Sequence, residues 1–414
     1  MSFVLGLKCK ECGREYPKKP IYVCEYCFGP LEVVYDYKKI KQSLTKEKIE
    51  GRRKTLWRYE ELLPVDEEPI CGLNSGFTPL YEAKNLAKIF GVKKLYIKDD
   101  SVNHPTLSFK DRVVAVALSK AKEFGFKTVA CASTGNLANA VAAHSRYSGF
   151  DCFVFVPYNL EKTKIVSSLI YDVNVVAIEG NYDDVNRLCA EIASKYNWAF
   201  VNVNLRPYYS EGSKTYGFEI IEQLGWKKPK HIVVPVASGS LLTKIYKAFK
   251  EFYELGFIDD LDTKFYIAQA EGCSPIVNAF KANSDIIRPV KPNTIAKSIA
   301  IGNPADGVYA LEVVKKTNGY AEVASDEEIV EGIKLLASTE GIFTETAGGT
   351  VVAVAKKLIQ NSIIPKDEEI LLCITGNGLK TQEAVINSIK ETIKIKPNLE
   401  SFESAIRNVQ YWIL

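Results

Sequence analysis

Lys110 stands at the centre of the segment N-H-P-T-L-S-F-K-D-R, Asn103–Arg112. An extended run, Lys94–Asp100, precedes it and a long helical pattern follows. Pro105 stops any earlier helix and Ser108 is the expected N-cap, which puts Lys110 in the first helical turn. A cation there opposes the helix macrodipole, which favours anions. The misfit costs little when the amine is neutral or bonded to an anion. A neutral amine is also what attack on a carbonyl requires. The alternative is a solvated lysine at a helix start, and the rest of the chain decides between the two.

Three further places combine small, polar and glycine residues with a strand-to-helix transition. They are Ser133-Thr134-Gly135-Asn136 after V-A-C-A, Ala237-Ser238-Gly239-Ser240-Leu241 after I-V-V-P-V, and Thr375-Gly376-Asn377-Gly378 after I-L-L-C-I. Backbone N–H groups at a helix N-terminus favour an anion, and in open α/β sheets ligands bind at the carboxyl ends of strands. Each turn alone is a common connector. Three of them, with a lysine at a fourth strand–helix junction, are harder to dismiss as connectors. Glu345, in G-I-F-T-E-T-A-G-G, is either a pocket carboxylate or a surface helix cap.

A second constellation is Cys9-x-x-Cys12, eleven residues, then Cys24-x-x-Cys27. Two such knuckles can place four thiolates around one tetrahedral ion, the pattern of a small zinc ribbon. The alternatives are a metal-free apolar lobe or disulfides formed on oxidation. The other six cysteines (Cys71, Cys131, Cys152, Cys189, Cys273, Cys373) are scattered, several in apolar runs. They read as small buried hydrophobes in a reducing compartment, so a cytoplasmic protein is expected.

The elements that must position these groups follow from hydrophobic periodicity. Strands are expected at Lys94–Asp100, Thr128–Ser133, Cys152–Pro157, Asn174–Glu179, Ala199–Asn204, His231–Ala237, Lys264–Ala270 and Ile370–Thr375. Helical patterns lie between them, including Asp111–Phe124, Asn136–Ser148, Glu161–Tyr171, Asp183–Tyr196, Glu211–Leu224 and Gly239–Leu255, with Tyr81–Phe90 ahead of the first strand. Near-continuously apolar strands alternating with helices mean parallel sheets covered on both faces. Residues 37–70 read as a Lys- and Glu-rich linker with one or two surface helices. The chain's 414 residues suffice for two or three domains, with a break between two α/β domains near Asn204–Gly212.

Several classes are excluded. A net charge of +3 speaks against a dedicated nucleic-acid binder. No apolar run approaches a membrane span and Met1–Lys10 has no signal-peptide pattern. The three histidines, His104, His144 and His231, sit in no H-E-x-x-H and beside no G-x-S-x-G elbow. There is no Walker A pattern and no G-x-G-x-x-G opening a helix after a strand.

Taken together, S-F-K-D at Lys110, A-S-T-G-N at 132–136, the loop at 237–241, G-I-F-T-E-T-A-G-G at 341–349 and T-G-N-G-L-K at 375–380 resemble fold-type II pyridoxal-phosphate enzymes. Within them the chain is most similar to threonine synthases with an N-terminal cysteine ribbon, from Cys9 to about Lys390. The resemblance implies two doubly wound, largely parallel α/β domains of the tryptophan synthase β type behind a ribbon at residues 1–36. Residues 37–93 would begin the large domain, 94–205 would form the small domain, and 206–414 the large cofactor-binding domain. Lys110 would form the Schiff base with the cofactor pyridoxal 5'-phosphate, and Asn136 would bond the pyridine 3'-oxygen. Ala237, Ser238, Gly239, Ser240 and Leu241 would cradle the phosphate, and Thr375 would face the pyridine nitrogen. Ser133 and Thr134 would bind a substrate carboxylate. The implied reaction turns O-phospho-L-homoserine and water into L-threonine and phosphate, in a homodimer and without an added regulatory domain.

Two departures from the family pattern matter. Its phosphate loop carries more glycine, and an asparagine; here the loop reads A-S-G-S-L. The segment V-N-L-R-P-Y-Y-S-E-G-S-K resembles the family's N-P-Y-R-x-E-G-x-K, but its arginine falls earlier, at Arg206. Arg206 and Lys214 are the expected partners of the substrate phosphate. Alternatives on the same scaffold are cysteate synthase (phosphoserine plus sulfite) and threonine dehydratase. An alternative of another class is a zinc-ribbon binding protein without catalysis.

Overall fold

Residues 3–158, 162–180 and 182–410 are described by a computed structural model. The strands in chain order are β1 (Val4–Cys9), β2 (Glu15–Tyr16), β3 (Leu31–Tyr35), β4 (Leu80–Glu82), β5 (Lys94–Asp99), β6 (Thr128–Ala132) and β7 (Asp151–Pro157). They continue with β8 (Asn174–Ile178), β9 (Trp198–Phe200), β10 (His231–Pro235), β11 (Lys264–Ala270), β12 (Tyr320–Ala324) and β13 (Glu369–Ile374). They form three sheets, ordered β2-β1-β3, β12-β11-β10-β13-β5-β4 and β8-β7-β6-β9. The first is antiparallel. The other two are parallel except for the short edge strand β4. Parallel pairing needs helical crossovers, which cover both faces and require apolar strands. Every residue of H-I-V-V-P in β10 is buried accordingly.

In the six-stranded sheet, β13 lies between β10 and β5, so the strand order reverses there. Such a reversal opens a crevice at the carboxyl ends of the strands. The loops after β10, β13 and β5 carry Ser238–Leu241, Thr375–Gly378 and Lys110 respectively.

Several sequence expectations are corrected. The strand Lys94–Asp99, grouped above with the small domain, pairs with β13 and β4 in the larger sheet. Its matching apolar face, not chain proximity to β6, selects its partners. Tyr81 belongs to β4, and the helix there begins only at Lys84. The expected helix Glu211–Leu224 begins later, at Lys214, and Glu211 ends a separate short helix, Arg206–Glu211. Residues 37–70 are not a surface linker: Ile40, Ile49, Leu56, Trp57, Tyr59 and Leu62 are all buried in the main core. Strand β12 was not anticipated. The start of the helix expected from Glu161 lies outside the described residues.

Candidate active site

Lys110 opens the helix Lys110–Glu123. The expected cap, Ser108, does not cap it. Phe109 occupies that position with helical backbone angles and no side-chain bond, and the buried Ser108 hydroxyl has no partner among the described residues. The turn before the helix is instead fixed to the end of β13. Phe109 N–H donates to the Thr375 carbonyl (3.0 Å) and Asn377 N–H to the Leu107 carbonyl (3.1 Å). Asn103 Nδ2 also donates to the Ser108 carbonyl (2.9 Å). Lys110 and Thr375 are therefore held side by side by backbone. The amine of Lys110 is half-buried and donates to Tyr209 Oη at 3.0 Å.

Beneath this turn lies a fully buried ionic network. Arg112 bonds both oxygens of Asp100 (2.7 and 2.8 Å) and both of Glu219, and Lys98 Nζ lies 2.6 Å from Glu219 Oε2. Burial opposes the Glu219 charge, but Arg112 and Lys98 outweigh it and hold the carboxyl down at about 2. For Lys98, burial dominates and lowers the amine. Two cations and two carboxylates balance, so the start of the lysine helix rests on a rigid, neutral base.

Gly239 sits at φ 101°, and a Cβ there would approach the Asp306 carbonyl to 2.5 Å. Only glycine fits this turn. It opens the sixteen-residue helix Ser240–Leu255. The N–H groups of Ser238, Gly239, Ser240 and Leu241 make no bond to protein among the described residues, while Asp306 N–H donates to the Ser238 carbonyl (2.9 Å). Free N–H groups at a helix N-terminus form an anion cradle. Thr375 is 2% exposed, and its hydroxyl has no protein partner among the described residues. A cradle for a phosphate, a free hydroxyl and a lysine thus follow three adjacent strands.

The opposite wall comes from the four-stranded sheet. Asn136 opens the helix Asn136–Tyr147 after β6. Its Nδ2 donates across the cleft to Glu345 (2.9 and 3.2 Å), the residue capping the helix Thr346–Gln360. Glu345 is a helix cap but not a surface one: it is 3% exposed. Burial pushes its carboxyl up, against the Asn136 bond and the charges of Lys380 and Lys110. Ser133 and Thr134 are half-buried at the same strand end, the Ser133 hydroxyl accepting from Gly135 N–H (3.4 Å).

Arg206 and Lys214, expected to grip a substrate phosphate, are engaged elsewhere. Arg206 pairs with Asp306 (2.9 Å). Lys214 is fully buried between Glu211 (2.7 Å) and Glu251 (3.0 Å). The sequence reading missed Tyr209 and Lys380. Lys380, lowered by burial, donates to the Thr106 carbonyl. Neither is visible as chemistry without the fold, since Tyr209 lies 99 residues from Lys110.

The thiols of Cys9, Cys12, Cys24 and Cys27 lie within 4.8 Å of one another. Thiolates about 2.3 Å from a tetrahedral zinc stand about 3.8 Å apart, so this donor set fits the ion. The ribbon is tied to the site's supports: Tyr208 Oη donates to the Lys19 carbonyl (3.0 Å) and Lys244 pairs with Glu32 (2.9 Å).

A family model described as pyridoxal-phosphate dependent enzyme matches residues 73–376, and one described as NinF protein matches residues 8–32. A threonine synthase of Methanocaldococcus jannaschii is 41% identical over 406 residues, covering 97% of this chain and 99% of that protein. One of Methanosarcina acetivorans is 41% identical over 403 residues, 97% of this chain and 98% of that protein. One of Halalkalibacterium halodurans is 37% identical over 350 residues, 84% and 95%. Among solved structures, maize serine racemase aligns with a TM-score of 0.62 at 19% identity, covering 81% of this chain and 94% of that chain. A threonine deaminase isoform from Solanum lycopersicum aligns at 0.63 and 21%, covering 76% and 89%. At such identities the structures share the fold alone.

Proposed function

The chain belongs to the family of pyridoxal-phosphate dependent enzymes, and from that premise we propose that it is a threonine synthase. It is a lyase acting on a phosphate ester, converting O-phospho-L-homoserine and water to L-threonine and phosphate. The observation that carries this reading is near end-to-end similarity, 41% over 97% of the chain, to threonine synthases.

The residues present fit the cofactor. The free N–H groups of Ser238–Leu241 and the glycine-only turn suit its phosphate, and the unpartnered Thr375 hydroxyl suits a neutral ring nitrogen. When bound, pyridoxal phosphate supplies the electron sink for carbanions at substrate carbons. Lys110 would hold the cofactor through Nζ, and its amine, when free, would take the Cα proton and carry protons at Cβ and Cγ. Asn136, which bonds Glu345 from the opposite wall, would hold the ring through its 3'-oxygen. Ser133 and Thr134 hold the substrate carboxylate. Thr375 would face the ring nitrogen with a hydroxyl in place of a carboxylate, a pairing that disfavours transamination. Arg206 and Lys214 have no part in this arrangement.

The four ribbon cysteines hold a structural zinc ion, a reading supported by their mutual distances. The protein works in the cytoplasm as a homodimer. Ten cysteines without a disulfide suit a reducing compartment, and the mass by light scattering tests the dimer. Substrate choice is tested by offering phosphohomoserine, phosphoserine with sulfite, and threonine to the cofactor-loaded protein. Phosphate and threonine from the first are expected. Turnover of either other substrate with none of the first refutes the assignment.

A further inference from the structure

We propose that Tyr209 is a catalytic residue of this reaction, holding the free Lys110 amine in the cleft and relaying its proton. The inference rests on Lys110 being the base of the proposed function. Among the described residues, Tyr209 Oη at 3.0 Å is the one hydrogen-bond partner of the Lys110 amine, and no carboxylate pairs with it. Two aromatic rings adjoin the amine: the Phe109 ring centre lies 4.6 Å away and the Tyr209 ring centre 5.6 Å. Charged groups facing it are Glu345, whose carboxyl feels the Lys110 charge and is bonded by Asn136, and Lys380 beside Glu345.

The phenol is placed by built features. Pro207 starts the helix Arg206–Glu211. Gly212 ends it flush against the lysine helix, where a Cβ would meet the Arg112 carbonyl oxygen at 2.6 Å. Arg206, the first residue of the short helix, is bonded to Asp306.

A phenol that accepts from an amine keeps its own proton to give. The chemistry needs such a group. A proton that Lys110 hands to the departing phosphate, rather than back to carbon, leaves the amine neutral for the next transfer. In the relay, an N–H bond of the Lys110 ammonium breaks as an O–H bond forms on Tyr209. The original phenol proton passes to the phosphate oxygen as the C–O bond breaks with its electron pair on oxygen. One proton moves from nitrogen to phosphate, no electrons are gained or lost, and the phenol is regenerated.

The test compares Tyr209→Phe with Tyr208→Phe, the adjacent phenol that bonds only the ribbon. Three readouts are taken. One is the pH titration of visible absorbance in protein loaded with pyridoxal phosphate. The second is the pH-dependent rate at which trinitrobenzenesulfonate modifies Lys110 in apo-protein, followed by peptide mass. The third is kcat and KM for phosphohomoserine. Tyr209→Phe should shift both titrations by about one pH unit and lower kcat about 100-fold with KM little changed, while Tyr208→Phe changes none of these. Should Tyr209→Phe fold poorly, Tyr209→3-fluorotyrosine preserves its shape and should move the kcat pH profile to lower pH. Wild-type titrations and kcat in Tyr209→Phe, equal losses in Tyr208→Phe, or an unmoved profile with the fluorotyrosine overturn the inference. Wild-type protein that takes no cofactor or releases no phosphate would instead overturn the proposed function.

Discussion

Gly212→Ala is the sharpest probe of how the fold sets the site. Gly212 has φ −57° and ψ −29°, an ordinary helical conformation that alanine adopts freely. Helix propensity alone therefore predicts stabilisation, by up to about 1 kcal/mol. The surroundings predict the opposite. The new Cβ would lie 2.6 Å from the Arg112 carbonyl oxygen, 2.7 Å from Val113 Cα and 2.9 Å from the Arg112 carbonyl carbon, all backbone. None of these atoms can swing away. Restoring ordinary contact requires the two helices to separate by about 0.8 Å, at an overpacking cost of about 1–3 kcal/mol. The same displacement carries Tyr209 off Lys110. Misplacement of catalytic groups by such distances costs up to about 100-fold in rate. Urea unfolding followed by tryptophan fluorescence should show the loss of stability, and phosphate release from phosphohomoserine should fall at least tenfold, with unchanged zinc content. A Gly212→Ala protein as stable and as fast as the parent would refute the claim that contact between these helices positions the catalytic pair.

Three further outcomes are expected. Arg112→Met leaves Asp100 and Glu219 buried with only Lys98 between them, and should cost about 3–5 kcal/mol in chemical denaturation. His144 is buried 3.2 Å from Asp111; burial disfavours its charge, but Asp111 and the Cys71 thiol outweigh this and raise it to about 9. A folded value above the unfolded one means its stabilisation is complete below about pH 6.5 and is lost as pH rises through 9. Denaturation at pH 6 and pH 9.5 should differ by about 1–3 kcal/mol more in the parent than in His144→Gln. Cys24→Ser should abolish a stoichiometry of one zinc per chain by metal analysis, and the loosened ribbon should become open to trypsin near Lys18 and Lys19.

What the sequence made legible was whatever one segment encodes by itself. The runs that became β5, β6, β7, β10, β11 and β13 are apolar enough to announce buried parallel strands, and glycine-bearing turns after them announce ligand-binding ends. Strand β12 is an edge, with Glu322 half-buried, and its Y-A-E-V-A lacks that signature. The close approach of Gly212 to the Arg112 backbone was invisible because the two lie a hundred residues apart. The ion pairs of Arg206 and Lys214 were hidden for the same reason. A cation's sequence position does not disclose that Asp306, or Glu211 and Glu251, already hold it. Ser108 had the composition of a cap, but its turn is held by backbone bonds to β13. Tyr209, absent from the sequence reading, became a candidate only when the fold brought it to the lysine.

The central claim is that Lys110 carries pyridoxal phosphate. Its most direct test is the visible spectrum of the purified protein with the cofactor, before and after borohydride reduction, followed by peptide mass mapping. The account predicts a yellow protein whose colour is bleached by borohydride and whose cofactor mass is fixed to the peptide bearing Lys110. A protein that stays colourless with added pyridoxal phosphate, or one labelled at a different lysine, would contradict it.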